Sequence, residues 1–175
     1  MKPTVTHNKP LTNNQQLNST FNLQHSTFNI QPSTFNIMTY PFINIWAVLI
    51  SAVAFWALGA LWYSPVLFGK RWQKEIGATD DELKKANMAL IFGGSFLLML
   101  FMVWALNFVI NSHKAEDVSL TMGLTYGLFT GFFFSMMTMG INYLYQRRSV
   151  VLWLIDGIYV VLGLGIAGMI LGAWR

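Results

Sequence analysis

The chain has 175 residues, 54% of them apolar and only 10% charged, with a formal net charge of +4. Soluble domains carry about 25% charged residues, so this composition points to a chain that is solvated by lipid. The lack of cysteine excludes disulfides, thiolate metal sites and cysteine nucleophiles, and basic residues confined to short gaps between apolar runs argue against a nucleic-acid surface.

Residues 1–37 differ from everything after them. They are rich in Asn, Gln, Ser and Thr, and repeat Ser-Thr-Phe-Asn from Ser19, Ser26 and Ser33. The spacing is a heptad, but weak helix formers and absent e/g charges argue against a coiled coil. No continuous apolar stretch marks a signal peptide. Two readings remain: a disordered extension, or upstream sequence preceding a true start at Met38, where the repeat ends.

Residues 38–175 form the second region, with four apolar runs over about 42–63, 88–110, 118–145 and 150–174. About 20 apolar residues cross the hydrocarbon as a helix, and unpaired backbone groups in lipid exclude other conformations. The expected fold is therefore all-α, an integral membrane four-helix bundle behind a disordered or non-native extension. Between the first two runs, Phe68, Trp72 and Ile76 recur every four residues among Lys70, Arg71 and Lys74. This fits either a short amphipathic segment on the membrane surface or an ordinary loop with anchoring aromatics. Thr79 followed by Asp80, Asp81 and Glu82 reads as a capping box, so the second helix is expected to run from Asp80 to about residue 110.

Lys and Arg in short loops set the orientation. Lys70, Arg71, Lys74, Lys84 and Lys85 follow the first span, and Arg147 and Arg148 follow the third. Both loops are expected in the cytoplasm and both termini outside, at the bacterial cell membrane. Trp46, Trp104 and Trp174 then fall near the outer surface, and Trp62, Tyr63, Tyr143 and Tyr145 near the inner one.

Small residues let membrane helices approach closely. Gly123, Gly127 and Gly131 share one face of the third span, with Thr130, Ser135, Thr138 and Asn142 within or beside it. Phe129, Phe132, Phe133 and Met136 point away, toward lipid. On the fourth span Gly165, Gly168 and Gly172 form one small face, and Asp156, Gly163 and Ala167 another. Such a helix is central or shared with a second subunit, so Gly168 and Gly172 pack either within or between chains. Gly163-Leu164-Gly165-Ile166-Ala167-Gly168 matches a dinucleotide fingerprint literally, but it lies mid-membrane without the required strand or later acid.

Asp156 is an acid well inside a span, about 9 Å past Val150. Thr138, Asn142, Ser95 and Tyr159 fall at similar depths and form a candidate polar cluster with it. Such an acid can bind a cation or carry a proton, or serve structure alone by bonding Thr138 or Asn142, pairing with Arg147 or Arg148, or simply being protonated. It has no second acid or base for catalysis. His7, His25 and His113 are scattered, so neither a metal site nor a cofactor is expected.

Trp62-Tyr63-Ser64-Pro65, Phe68-Gly69-Lys70 with Trp72, Gly140-Ile141-Asn142-Tyr143, Asp156-Gly157-Ile158-Tyr159 and the terminal Trp174-Arg175 resemble the bacterial membrane family called domain of unknown function 1761. The resemblance covers about residues 38–175. It implies a small multi-span protein and supplies no catalytic residues. The expected function is a non-enzymatic bundle that packs with itself or a membrane partner in the bilayer. The alternative is transport of a proton, cation or small solute through Asp156.

Overall fold

The computed structural model describes residues 44–114 and 116–174, and all statements of structure concern these. Residues 1–37 and Met38 lie outside them. The helices in order are α1 (Ile45–Trp62), α2 (Gly69–Ile76), α3 (Asp80–Lys85), α4 (Met88–Asn111), α5 (Leu120–Thr130), a π-helical turn (Gly131–Met136), α6 (Met137–Tyr145) and α7 (Val150–Ala173). Four of the resulting rods are long and apolar enough to span a membrane: α1, α4, the continuous α5–π–α6 segment and α7. Each starts on a side-chain cap. Asn44 accepts from the amides of Trp46 and Ala47, Asn87 from Leu90, Ser119 from Met122 and Ser149 from Leu152, at 3.0–3.2 Å. These caps satisfy amides that no preceding turn can reach.

The fourth span is the axis of the bundle. Some 56% of its apolar window is buried, against 33%, 11% and 17% for the first, second and third spans. Its two small faces are both used within the chain. A methyl group placed on Gly123 would lie 2.0 Å from the carbonyl oxygen of Gly168, and one on Gly127 would lie 2.1 Å from that of Leu164. The third and fourth spans therefore touch backbone to backbone. On the other side Gly163 makes room for the buried ring of Phe55, and the Ser51 hydroxyl donates to the carbonyl of Ala167 at 3.3 Å. All three glycines of the literal dinucleotide motif are accounted for by helix packing: Gly165 lies against Leu128 and Gly168 against Gly123.

Two expectations need correction. The helix starting at Asp80 does not continue to residue 110. Its capping box forms as expected, with Thr79 accepting from the Glu82 amide and Glu82 accepting from that of Thr79. Ala86 then turns extended, at ψ 144°, and Asn87 caps a fresh helix. Asparagine competes for backbone amides better at a helix start than in a helix interior. The third span, moreover, is not a uniform α-helix. Buried positions run Gly123, Gly127, Gly131 and then Met136, a five-residue step across the π turn. Met136, expected to face lipid, instead fills the space in front of Gly157. Phe129, Phe132 and Phe133 remain exposed, as the sequence suggests. The π turn is supported from outside: the Trp153 indole N–H donates to the Met136 carbonyl at 2.9 Å. A neighbouring helix often re-satisfies backbone in this way.

The basic loops meet at one end of the bundle. The α2 helix carries Trp72 and Ile76 on its half-buried side and packs against α7. It turns out of the helix at Gly77, whose φ of 73° is open to glycine without strain. Glu75 accepts from the Ser149 hydroxyl and pairs with Arg71 at 2.8 Å. The Ser149 hydroxyl, with Arg71 beside it, holds the Glu75 carboxyl below its ordinary range. At the opposite end the Tyr126 hydroxyl meets His113 Nε2 at 2.8 Å.

Candidate intramembrane polar site

Asp156 sits in the second turn of α7 and is 7% exposed. Its Oδ1 accepts from the Tyr63 hydroxyl and its Oδ2 from the Tyr143 hydroxyl, each at 2.7 Å. Tyr63 is the C-terminal cap of α1, and Tyr143 belongs to α6. One carboxylate thus ties together the basic ends of the first, third and fourth spans. Trp72 of α2 also interacts with it.

Local structure explains how Tyr63 arrives. The preceding residue, Trp62, donates its indole N–H to the Ile155 carbonyl at 3.1 Å. Consecutive residues at the end of α1 therefore grip consecutive residues of α7. The Tyr63 ring is wedged edge-on between Trp72, at 5.5 Å, and Tyr159, at 5.2 Å. Tyr159 is buried and directs its hydroxyl away from the acid, toward the Met99 sulfur at 3.8 Å. Gly59 opens the space for that hydroxyl, which would lie 2.7 Å from a methyl group at this position.

Of the residues grouped with Asp156 by depth, only Tyr159 joins its surroundings, and it does so through a shared ring contact with Tyr63. Thr138 and Asn142 are exposed, and the Asn142 amide donates to the Thr138 carbonyl on its own helix. Ser95 likewise turns back to the Phe92 carbonyl. Membrane hydroxyls and amides commonly satisfy themselves on their own preceding turn. The π turn supplies the second reason. One extra residue rotates everything beyond it by about 100°, so the face that would have held Thr138 and Asn142 holds Met139 and Tyr143. Tyr63 and Tyr143, read from the sequence as interfacial anchors, turn their hydroxyls into the bundle, whereas Tyr145 stays exposed. A signal for Tyr63 was present in its four-residue spacing from Gly59, which places both on the packed face.

Both carboxyl oxygens of Asp156 thus have a hydroxyl partner. The arrangement can hold a negative charge away from lipid, and it offers two hydroxyls that could turn to follow a proton. Among the described residues no group of three His, Asp or Glu could hold a metal ion. Beside the site, on the surface between the third and fourth spans, a groove of about 130 Å³ is lined by Gly140, Tyr143, Leu144, Arg148, Ser149 and Trp153.

No curated protein and no solved structure matches the chain. A family model does, over residues 46–172, which takes in all four spans, the Tyr63–Asp156–Tyr143 site and both basic loops. The chain belongs to the family described as "Protein of unknown function (DUF1761)".

Proposed function

We propose that the chain is a non-enzymatic, multi-pass bundle of the bacterial cell membrane that packs against itself or a membrane partner through its second span. One observation carries this reading. The glycine faces of the third and fourth spans are consumed inside the chain, whereas Gly93 and Gly94 of α4 have nothing within 4 Å of where a side chain would begin. Ala89, one turn earlier, is exposed, and only 11% of the apolar window of α4 is buried. Close-packing residues in lipid favour helix–helix contact. The basic end, with Lys70, Arg71, Lys74, Lys84, Lys85, Arg147 and Arg148, faces the cytoplasm and both termini lie outside.

The cysteine-free sequence makes the test direct. Gly93→Cys in native membranes is expected to form cross-linked dimers or adducts under a bis-maleimide, and Phe133→Cys on the phenylalanine face is not. Monomer alone at position 93, or equal yields at both positions, refutes the reading.

A second reading, exchange of a proton or cation at Asp156, is favoured by Tyr143, which both donates to the acid and lines the adjacent groove. Asp156→Asn is then expected to alter pH tolerance or ion uptake in cells. Unchanged growth and uptake would remove this reading and leave the first untouched.

A further inference from the structure

We propose that the groove between the third and fourth spans holds one anionic phospholipid, with its headgroup phosphate at Arg148 and part of an acyl chain along Gly140, Leu144 and Trp153. The polar atoms in the groove wall are already spent. Tyr143 gives its hydroxyl to Asp156, Trp153 its indole N–H to the Met136 carbonyl, and Ser149 its hydroxyl to Glu75 while capping Leu152. What remains facing the groove is hydrocarbon and ring surface, bordered by one guanidinium. Arg148 has no ion-pair partner among the described residues, and neither does the exposed Arg147 beside it.

The shape of the site comes from two backbone features. Gly140 keeps the wall open, since a methyl group there would lie 2.9 Å from the Trp153 indole nitrogen. Arg147 adopts a φ of 55°, and the next amide, that of Arg148, returns to the Tyr143 carbonyl at 2.9 Å. This tight turn brings Arg148 to the rim, at the level where the fourth span begins. An apolar groove with an unpaired cationic rim matches an amphipath with an anionic head. At that depth in a membrane-spanning bundle the amphipath at hand is lipid, and basic pockets between membrane helices recognise anionic headgroups in this way.

The test uses the full chain in mild detergent, followed by native mass spectrometry. It is titrated with phosphatidylglycerol, with phosphatidylcholine of the same acyl chains, or with inorganic phosphate. Phosphatidylglycerol is expected to be retained several-fold better than phosphatidylcholine, with no retention of phosphate. Arg148→Gln should lower phosphatidylglycerol retention about fivefold, the effect of one basic residue near an anionic headgroup. Leu144→Trp, at a position 76% exposed in the native chain, should plug the groove and lower retention of both lipids without changing the thermal melt. Lys114→Gln, at the opposite end, should change nothing. Equal retention of the two lipids, insensitivity to Arg148→Gln, or binding of phosphate alone would overturn the proposal.

Discussion

Replacing Gly168 by alanine should separate the third and fourth spans, and the structure gives the size of the effect. The new methyl carbon would lie 2.1 Å from the Gly123 carbonyl oxygen, whereas ordinary contact begins at 3.4 Å. The obstacle is backbone, so no side chain can swing aside, and the helices must part locally by about 1.3 Å. Overpacking of this kind costs about 1–3 kcal/mol, and the lost dispersion between parted surfaces acts in the same direction. Alanine is also the better helix former, by about 1 kcal/mol in water. In the detergent-dispersed monomer Gly93→Ala shares that gain and meets nothing within 4 Å of its own chain, so comparing the two substitutions there isolates the clash. The expected difference in unfolding free energy is about 1–3 kcal/mol, read from denaturing-detergent titrations in mixed micelles by circular dichroism. A difference below about 0.5 kcal/mol, the usual scatter of additivity between distant sites, would refute backbone contact between the third and fourth spans.

The Asp156 clamp predicts coupling between helices. A double-mutant cycle of Tyr143→Phe with Asp156→Asn should give a coupling of about 0.6–1.7 kcal/mol, the range found for hydrogen bonds between membrane helices; strict additivity would mean the bond contributes nothing in the folded bundle. Glu75 predicts a pH effect. Its carboxyl is held below its ordinary value, first by the Ser149 hydroxyl and then by Arg71. The folded form therefore binds its proton less readily than the unfolded form. The stabilisation is present above the ordinary carboxyl range and is lost as pH falls through the lowered value. Thermal melts of the native chain and Glu75→Gln should differ at neutral pH and converge in acid. A gap that persists in acid would show that the substitution acts through something other than charge.

The spans were legible because lipid imposes a simple rule on every one of them. The four-residue spacing of Gly123, Gly127 and Gly131 marks a face that meets α7 backbone to backbone, though the spacing does not say which helix it meets. The site was legible only at Asp156 itself, whose charge stands out in an apolar run. Its partners were hidden for a definite reason. A strict 3.6-residue projection cannot foresee a π turn, and beyond Gly131 that projection is one residue out of phase, so it selects Asn142 where the fold presents Tyr143. The break at Ala86 was masked by the good capping box upstream at Thr79, although Asn87 stands directly before an apolar run, where an N-cap is expected.

The π turn also bears on how the third span tolerates changes in length. Gly131 and Met136 both pack on α7 although five residues separate them. The span thus contains one residue more than an α-helix making the same two contacts would need. Deleting one of Phe132, Phe133 or Phe134 leaves the flanking contacts four apart, the natural interval of a helical face. Such a deletion, ordinarily ruinous in the middle of a membrane helix, is expected to be absorbed here by straightening the turn. Gly123 stays on Gly168 at one end, and Tyr143 stays on Asp156 at the other. The extra residue has the character of an inserted one, and a chain lacking it is expected to keep the site.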